Sequence, residues 1–272
     1  MRTDQSRLHV SDISEEHARL ISRLMAARNA REPVEMPGWL GGQVPSEVAY
    51  AIQTAHCEAV LSQAGGTVIG WKIGGGDLAA MNAAGFSGPG RGPIFSAFTH
   101  DGPAHLRRDE WIACIVEAEI GVVMGKDVRA PLDAGGIADS VAAIIPCIEI
   151  ADARFIEFAK RPVPAIIADL GYAGAWIRGR AAQEWRGIDL SSLEVRLLAN
   201  GVEVRRGKGG LAMGDPFGPL ALLANDLLCN GSYLAAGQVV STGTYVMPYL
   251  ATSQETIVAD FGPLGTVAVQ FD

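Results

Sequence analysis

An α+β fold is predicted by three features of this 272-residue chain. Helical periodicity dominates the first quarter. From Thr67 onward the signals become short β-rich runs punctuated by Gly and Pro. Only two helical stretches interrupt those runs, so strands and helices do not alternate as a doubly wound sheet requires. The expected architecture is a small N-terminal helical region, residues 1–66, packed on a β-rich domain of mixed sheets, residues 67–272.

Residues 12–30 offer Ser and Asp caps, acids in the first turn, and Leu20, Ile21, Leu24 and Met25 at helical spacing. A Pro- and Gly-bearing loop follows, then a second helix from about Ser46 to Ala64 that stops at Gly65-Gly66. The strand candidates are TVIGWKIG, ACIVEAEIGVVMG, CIEIADARF, LEVRLLANGVEV, QVVSTGTYV and TIVADFGPLGTVAVQF. Asn200-Gly201 is the strongest hairpin signal, because both residues tolerate the positive φ of a tight turn. The two interrupting helices are DAGGIADSVAAIIP and PLALLANDLLCNG, the second closed by Asn230-Gly231.

A formal net charge of −8, with lysines and arginines dispersed along the chain, argues against nucleic acid and anionic membrane partners. Hydrophobic content of 49% beside only 19% charged residues points to surface buried between subunits, hence a homo-oligomer. The first twenty residues scatter charges where a signal core would lie, and no apolar run reaches membrane length; a soluble cytoplasmic protein is expected. Cys57, Cys114, Cys147 and Cys229 lack metal or redox spacing and read as free buried thiols.

The chemistry concentrates in IVEAEIGVVMG. Side chains alternate along a strand, so Glu117 and Glu119 share one face while Val116, Ala118 and Ile120 take the other. Two neighbouring carboxylates in apolar surroundings must protonate, find cations or share a metal ion. A solvent-facing edge strand would explain the pair equally well. Glu149 sits between Ile148 and Ile150 in an otherwise apolar run and could be half of a buried ion pair with Arg154 or Lys72. Together the three glutamates form an all-oxygen set suited to Mg²⁺ or Mn²⁺. Lys72, in GWKIGGG, places one cation at a strand end before bare backbone, where it could complement an anion or exchange protons.

The order of these segments resembles the hydratase/decarboxylase branch of the fumarylacetoacetate hydrolase superfamily. The likeness runs from about Ala49 to the C-terminus, through AYAIQ, GWKIG, EAEIGVVMGKD, IIPCIEIADAR, IADLGYAG, GDPFGPLALLANDL and GQVVSTGTY. The resemblance implies that fold, with Glu117, Glu119 and Glu149 holding Mg²⁺ or Mn²⁺ against a 2-keto acid and Lys72 beside it. It also implies a catalytic role for Asp169, whose position would equally suit a turn or cap. Thr242 and Gly243 become candidates for substrate contact, and Arg91 for the distal carboxylate of a dicarboxylic substrate; a surface arginine is its plainer reading. Where the hydratases carry an Asp-aromatic-Gly element, this chain has PGRGPIF, with Gly90 and Arg91 in its place. Asp77 is a further candidate helper. The implied activity is a lyase acting on a 2-keto (2-hydroxydienoate) acid, hydratase ahead of decarboxylase, with a complex with a partner enzyme of the same pathway also implied. A C–C bond hydrolase and a catalytically silent keto-acid-binding relative are the alternatives.

Overall fold

The computed structural model describes residues 13–74, 78–86, 88–209 and 214–272; Asp77 lies outside the described residues. Two helices open it, α1 (Glu15–Ala30) and α2 (Ser46–Ala64). Ser14 caps α1 by accepting from the His17 N–H at 3.2 Å, which satisfies one of the free donors of the first turn. They are followed by β1 (Val68–Gly74), α3 (Leu78–Ala83), β2 (Gly90–Phe95), β3 (Thr99–Asp101), β4 (Ala104–Leu106) and β5 (Ile115–Met124). Then come α4 (Ala134–Ala138), β6 (Val141–Ala151), α5 (Val163–Ala168), β7 (Ala173–Arg178), β8 (Glu194–Ala199) and β9 (Val202–Lys208). The chain ends with α6 (Phe217–Cys229), β10 (Val239–Thr244), β11 (Tyr249–Leu250), β12 (Thr256–Asp260) and β13 (Thr266–Phe271).

The strands form two mixed sheets, as the α+β expectation required. One has eight strands in the order β2-β1-β10-β5-β6-β7-β3, with β11 extending the β10 side of β5; the other runs β4-β13-β12-β8-β9. Strands β5 and β6 pair antiparallel in continuous register from Ile115↔Ala151 to Val123↔Ala143. One face of this pair, with Val116, Ala118, Ile120, Val122, Ile148 and Ile150, enters the main core together with Val195, Leu197, Ile257 and Val269 of the second sheet and Leu220 and Leu223 of α6. On the other face Cys147 joins Trp176 of β7, Ile94 and Val239 in a smaller apolar cluster. Both faces of β5 and β6 are therefore buried, which is why these strands read as nearly continuous apolar runs.

The large sheet is strongly curled. Strands β1 and β6 are three ladder steps apart, about 14 Å in a flat sheet, yet the Lys72 Nζ on β1 reaches the Glu149 carboxylate on β6. These side chains therefore lie on the concave face. Close strand approach also explains a glycine in the lysine segment: a Cβ at Gly70 would stand 1.8 Å from the Val239 carbonyl oxygen, so only glycine permits that parallel pairing.

Several expectations change. DAGGIADSVAAIIP is not one helix: it gives the short α4, capped by Asp133, and then the first half of β6. A fully buried strand and a buried helix share the same apolar run, and pairing with β5 decides between them. The Gly- and Pro-containing stretch 90–95 forms β2, because its glycines accommodate neighbouring backbone; a Cβ on Gly90 would lie 2.3 Å from the Gly74 carbonyl oxygen. The hairpin at Asn200-Gly201 forms as expected, with φ of 49° and 79°. All four cysteines are free, but Cys57 is only half-buried and Cys229 is exposed. No helix among the described residues is long and apolar enough to cross a membrane.

The N-terminal helices pack on the segment after β6, where Leu20, Ile21, Leu24 and Ile52 meet Phe155, Ala165 and Ala168. Polar pins fix their position. The Gln53 side-chain amide on α2 donates to the carbonyls of Arg91 and Ile167 at 2.8 and 2.9 Å, and the His56 Nδ1 lies 3.1 Å from the Ala168 carbonyl. Burial pushes the His56 imidazole down to about 3, with the charge of Arg154 acting in the same direction, so the ring is neutral and donates that bond.

Arg154, fully buried, anchors the turn that leads to α5. Its guanidinium donates to the carbonyls of Asp152 and Ala173 and pairs with Asp169 at 3.3 Å, while its backbone N–H donates to the same carboxylate at 2.8 Å. Replacing Arg154 by Met should therefore strip Asp169 of its charge partner and lower stability by about 3–5 kcal/mol. Urea unfolding checks this; a loss under about 1 kcal/mol would show that the pair is structurally dispensable.

Candidate active site

Glu117 and Glu149 are direct cross-strand neighbours, and Glu119 lies two residues along β5 on the same face. Their side chains can each offer an oxygen such that all three lie within 4.8 Å of one another. Two oxygens bound to one hard cation at about 2.1–2.6 Å cannot be more than roughly 5 Å apart, so this spacing suits a single divalent ion. The edge-strand reading of the two acids falls, since Glu119 and Glu149 are buried and Glu117 is half-buried at a pocket wall.

The charges within this site do not balance by themselves. Three carboxylates face one ammonium, Lys72, and it is Lys72, not Arg154, that pairs with Glu149. Burial, reinforced by Glu149, pushes the Glu117 carboxyl up to about 7, and burial with both other glutamates pushes Glu119 well above the ordinary range. Burial disfavours the Lys72 ammonium, but Glu149, Glu117 and Glu119 outweigh it and hold the charge more firmly than usual. Fully ionised, the four groups would carry two net negative charges, which a divalent cation neutralises. The residues present therefore fit Mg²⁺ or a similar hard ion.

Neighbouring groups on β10 hold Glu119 in place. The Ser241 hydroxyl donates to Glu119 at 2.6 Å, and the Gly243 N–H donates to the same oxygen at 3.2 Å. This depends on the register break between Ser241 and Thr244 on β10, where Gly243 takes φ of 102° and turns its N–H toward β5. The Thr242 hydroxyl donates to the Ile120 carbonyl at 2.8 Å. Ser241 has no signal in the sequence, because its role comes from lying opposite Gly121 on the neighbouring strand, diagonal to Glu119.

A cavity of about 410 Å³ opens over the acids, lined by Glu117, Glu119, Lys72, Thr242 and Gly243 and walled by apolar side chains including Ile115, Phe158 and Ile166. Glu149 lies behind it with Lys72, beside a small void of about 20 Å³ against Trp176. Tyr172, also on the pocket wall, donates its hydroxyl to the Phe158 carbonyl at 3.1 Å. Sequence reasoning missed Ile115, Phe158, Ile166 and Tyr172, whose spacing in the chain gives no hint that they converge.

Two expected site residues are elsewhere. Arg91 is neither a pocket cation nor a surface arginine: it is buried in β2 on the side opposite Lys72, pairs with Asp226 of α6, and lies 3.9 Å from the centre of the Tyr50 ring. Asp169 belongs to the Arg154 anchor and is absent from the pocket lining; burial pushes its carboxyl up to about 7 against the pull of Arg154. Among the described lining residues there is no histidine.

Comparison with known proteins supports the same region. A family model described as fumarylacetoacetate (FAA) hydrolase C-terminal matches residues 92–272. The chain is 27% identical over 263 residues to 2-oxo-hept-4-ene-1,7-dioate hydratase of Escherichia coli, covering 94% of this chain and 97% of that one. It is 32% identical over 210 residues to 2-hydroxypent-2,4-dienoate hydratase of Pseudomonas putida, covering 75% and 92%. Among solved structures, 4-oxalocrotonate decarboxylase from Pseudomonas putida G7, complexed with magnesium and adipate, superposes with a TM-score of 0.85 at 25% identity, covering 95% and 98%.

The buried acids set a pH dependence. Glu117 and Asp169 have folded-state values near 7 against ordinary values of 4.5 and 3.8. Without a cation, their contribution to stability is full below the ordinary values and is lost as pH rises through about 7. Cation binding needs Glu117 ionised, so its stabilising effect grows with pH. The expected result is a thermal midpoint raised more by saturating Mg²⁺ at about pH 8 than at about pH 6. An increment independent of pH would mean that the carboxylates release no protons on binding.

Proposed function

The chain belongs to the fumarylacetoacetate hydrolase C-terminal family, and from that premise we propose that it is a divalent-cation-dependent lyase acting on a 2-keto (2-hydroxydienoate) acid, a hydratase ahead of a decarboxylase. The observation that carries this reading is the trio Glu117, Glu119 and Glu149, converging within 4.8 Å on a buried concave face beside an apolar pocket. Mg²⁺ is the cation we propose, on the donor chemistry and on the magnesium complex of the similar decarboxylase; Mn²⁺ fits the same donors. When bound, the cation supplies Lewis acidity toward the oxygens of a 2-oxo carboxylate.

Hydration and decarboxylation share one demand: a proton must reach a carbon of the substrate chain. Lys72 carries that role in this reading. Its Nζ is buried at the pocket and oriented by Glu149; with the three glutamates holding a cation, their grip on its proton would relax and free it for transfer to the substrate chain. Ser241 and the Gly243 N–H hold Glu119 in its ligating orientation. Thr242, whose hydroxyl donates to the Ile120 carbonyl, and Gly243, whose N–H donates to Glu119, shape the pocket floor and would touch the substrate there. The hydrolase alternative calls for a histidine and a glutamate that activate water. His56 is buried under Ala168 instead, bonded to its carbonyl, with its ring held neutral.

Calorimetric titration of chelator-stripped protein with Mg²⁺, alone and with oxalate as a mimic of the 2-oxo carboxylate, tests the reading. Oxalate should tighten Mg²⁺ binding. Failure of Mg²⁺ to bind in both titrations would leave the glutamates structural and favour a silent relative. Lys72→Met should retain or raise Mg²⁺ affinity, because a competing positive charge is removed, while turnover of 2-hydroxypenta-2,4-dienoate, followed by its loss of absorbance, drops by about a hundredfold or more. Intact turnover in that variant would remove Lys72 from the chemistry.

A further inference from the structure

The relatives' names include a dioate and a pentadienoate, and the decarboxylase structure holds adipate, so the family resemblance leaves the far end of the substrate open. The pocket's own walls decide it. Beyond the acids the lining turns apolar, with Ile73, Pro89, Ile115, Phe158, Ile166 and Pro248 around the cavity. Lys72 is the only cation among the described lining residues, and it is committed to Glu149 at the polar end.

The cations nearest in sequence are likewise engaged. Arg91 sits on the face of β1 and β2 opposite Lys72, is absent from the described lining, and is closed into a buried pair with Asp226 and covered by Tyr50. Arg154 is consumed by Asp169 and two carbonyls behind the pocket. Next to Phe158, Arg161 bonds the Ile156 carbonyl and Glu157, and Lys160 pairs with Glu157 at 2.6 Å in solvent. Gly75, Gly76, Asp77 and Ser87, which border pocket residues in sequence, add no positive charge.

We propose that this site selects 2-keto acids whose chain ends in an uncharged apolar group and rejects 2-oxo dicarboxylates. The inference rests on the cation-dependent keto-acid reading above. A second carboxylate would be taken out of water against aliphatic and aromatic walls without a partner, a cost that the same walls do not impose on a methyl or vinyl end. The apolar tail instead gains by leaving water for those walls.

A matched pair of unreactive probes tests this on the Mg²⁺-loaded wild-type protein. 2-Oxohexanoate and 2-oxoadipate share a six-carbon 2-keto acid skeleton and differ in the distal carboxylate. In calorimetric competition against oxalate, 2-oxohexanoate should bind on the order of a hundredfold more tightly. A preference below about tenfold, or tighter binding of 2-oxoadipate, would overturn the selectivity while leaving the keto-acid site standing. If Mg²⁺ fails to support binding of oxalate and of both probes, the keto-acid reading itself fails and the selectivity falls with it.

Discussion

Everything in this protein is arranged around one electrostatic problem: three carboxylates are held on a dry concave surface with a single ammonium among them. Such a cluster is expensive for a folded chain to keep, because burial and mutual repulsion both disfavour the ionised form. The rise of Glu117 to about 7 is the local sign of that cost. The fold tolerates the cluster because its surroundings are over-determined. Strands β5 and β6 pair over their whole length, their other face is locked into the main core, and hydrogen bonds from Ser241 and Gly243 fix Glu119. A divalent cation would convert the same cluster from a liability into a cross-link between two strands.

The curl of the large sheet is the second requirement. In a flat sheet Lys72 and Glu149 could not touch; curvature brings β1 over β6 and closes a polar corner beneath an apolar pocket. Small residues permit it. Gly70 lets β1 approach β10, and the register break at Gly243 bends β10 where it delivers an N–H to Glu119. The helical N-terminal region supports this surface from outside through Gln53 and His56, which bond to carbonyls of β2 and α5.

Two charged residues that looked functional prove to be part of the scaffold. Asp169 and Arg154 clamp the turn behind the pocket, and Arg91 with Asp226 ties β2 to α6 under Tyr50. A buried ion pair and a ligand-binding cation look alike in sequence, because both are single charges in apolar runs. The difference lies in what stands opposite them. For Arg91 the opposing residue is 135 positions away, and no local pattern signals it.

The sequence by itself determined the α+β class, the hairpin at Asn200-Gly201, the helix α6, and the sidedness of Glu117 and Glu119. Those follow from periods of 2.0 and 3.6 and from turn chemistry, which act between residues a few positions apart. The ordered motifs also made the family resemblance legible, together with the three glutamates and Lys72 that carry it. Tertiary structure alone decided that 141–151 is a strand, that Ser241 steadies Glu119, and that the cavity wall is built from β5, α5 and the Phe158 segment. It also decided which lone charges face the pocket and which face each other. Those outcomes depend on cross-strand register and sheet curvature, which arise from contacts distant in the chain and leave no periodic trace in it.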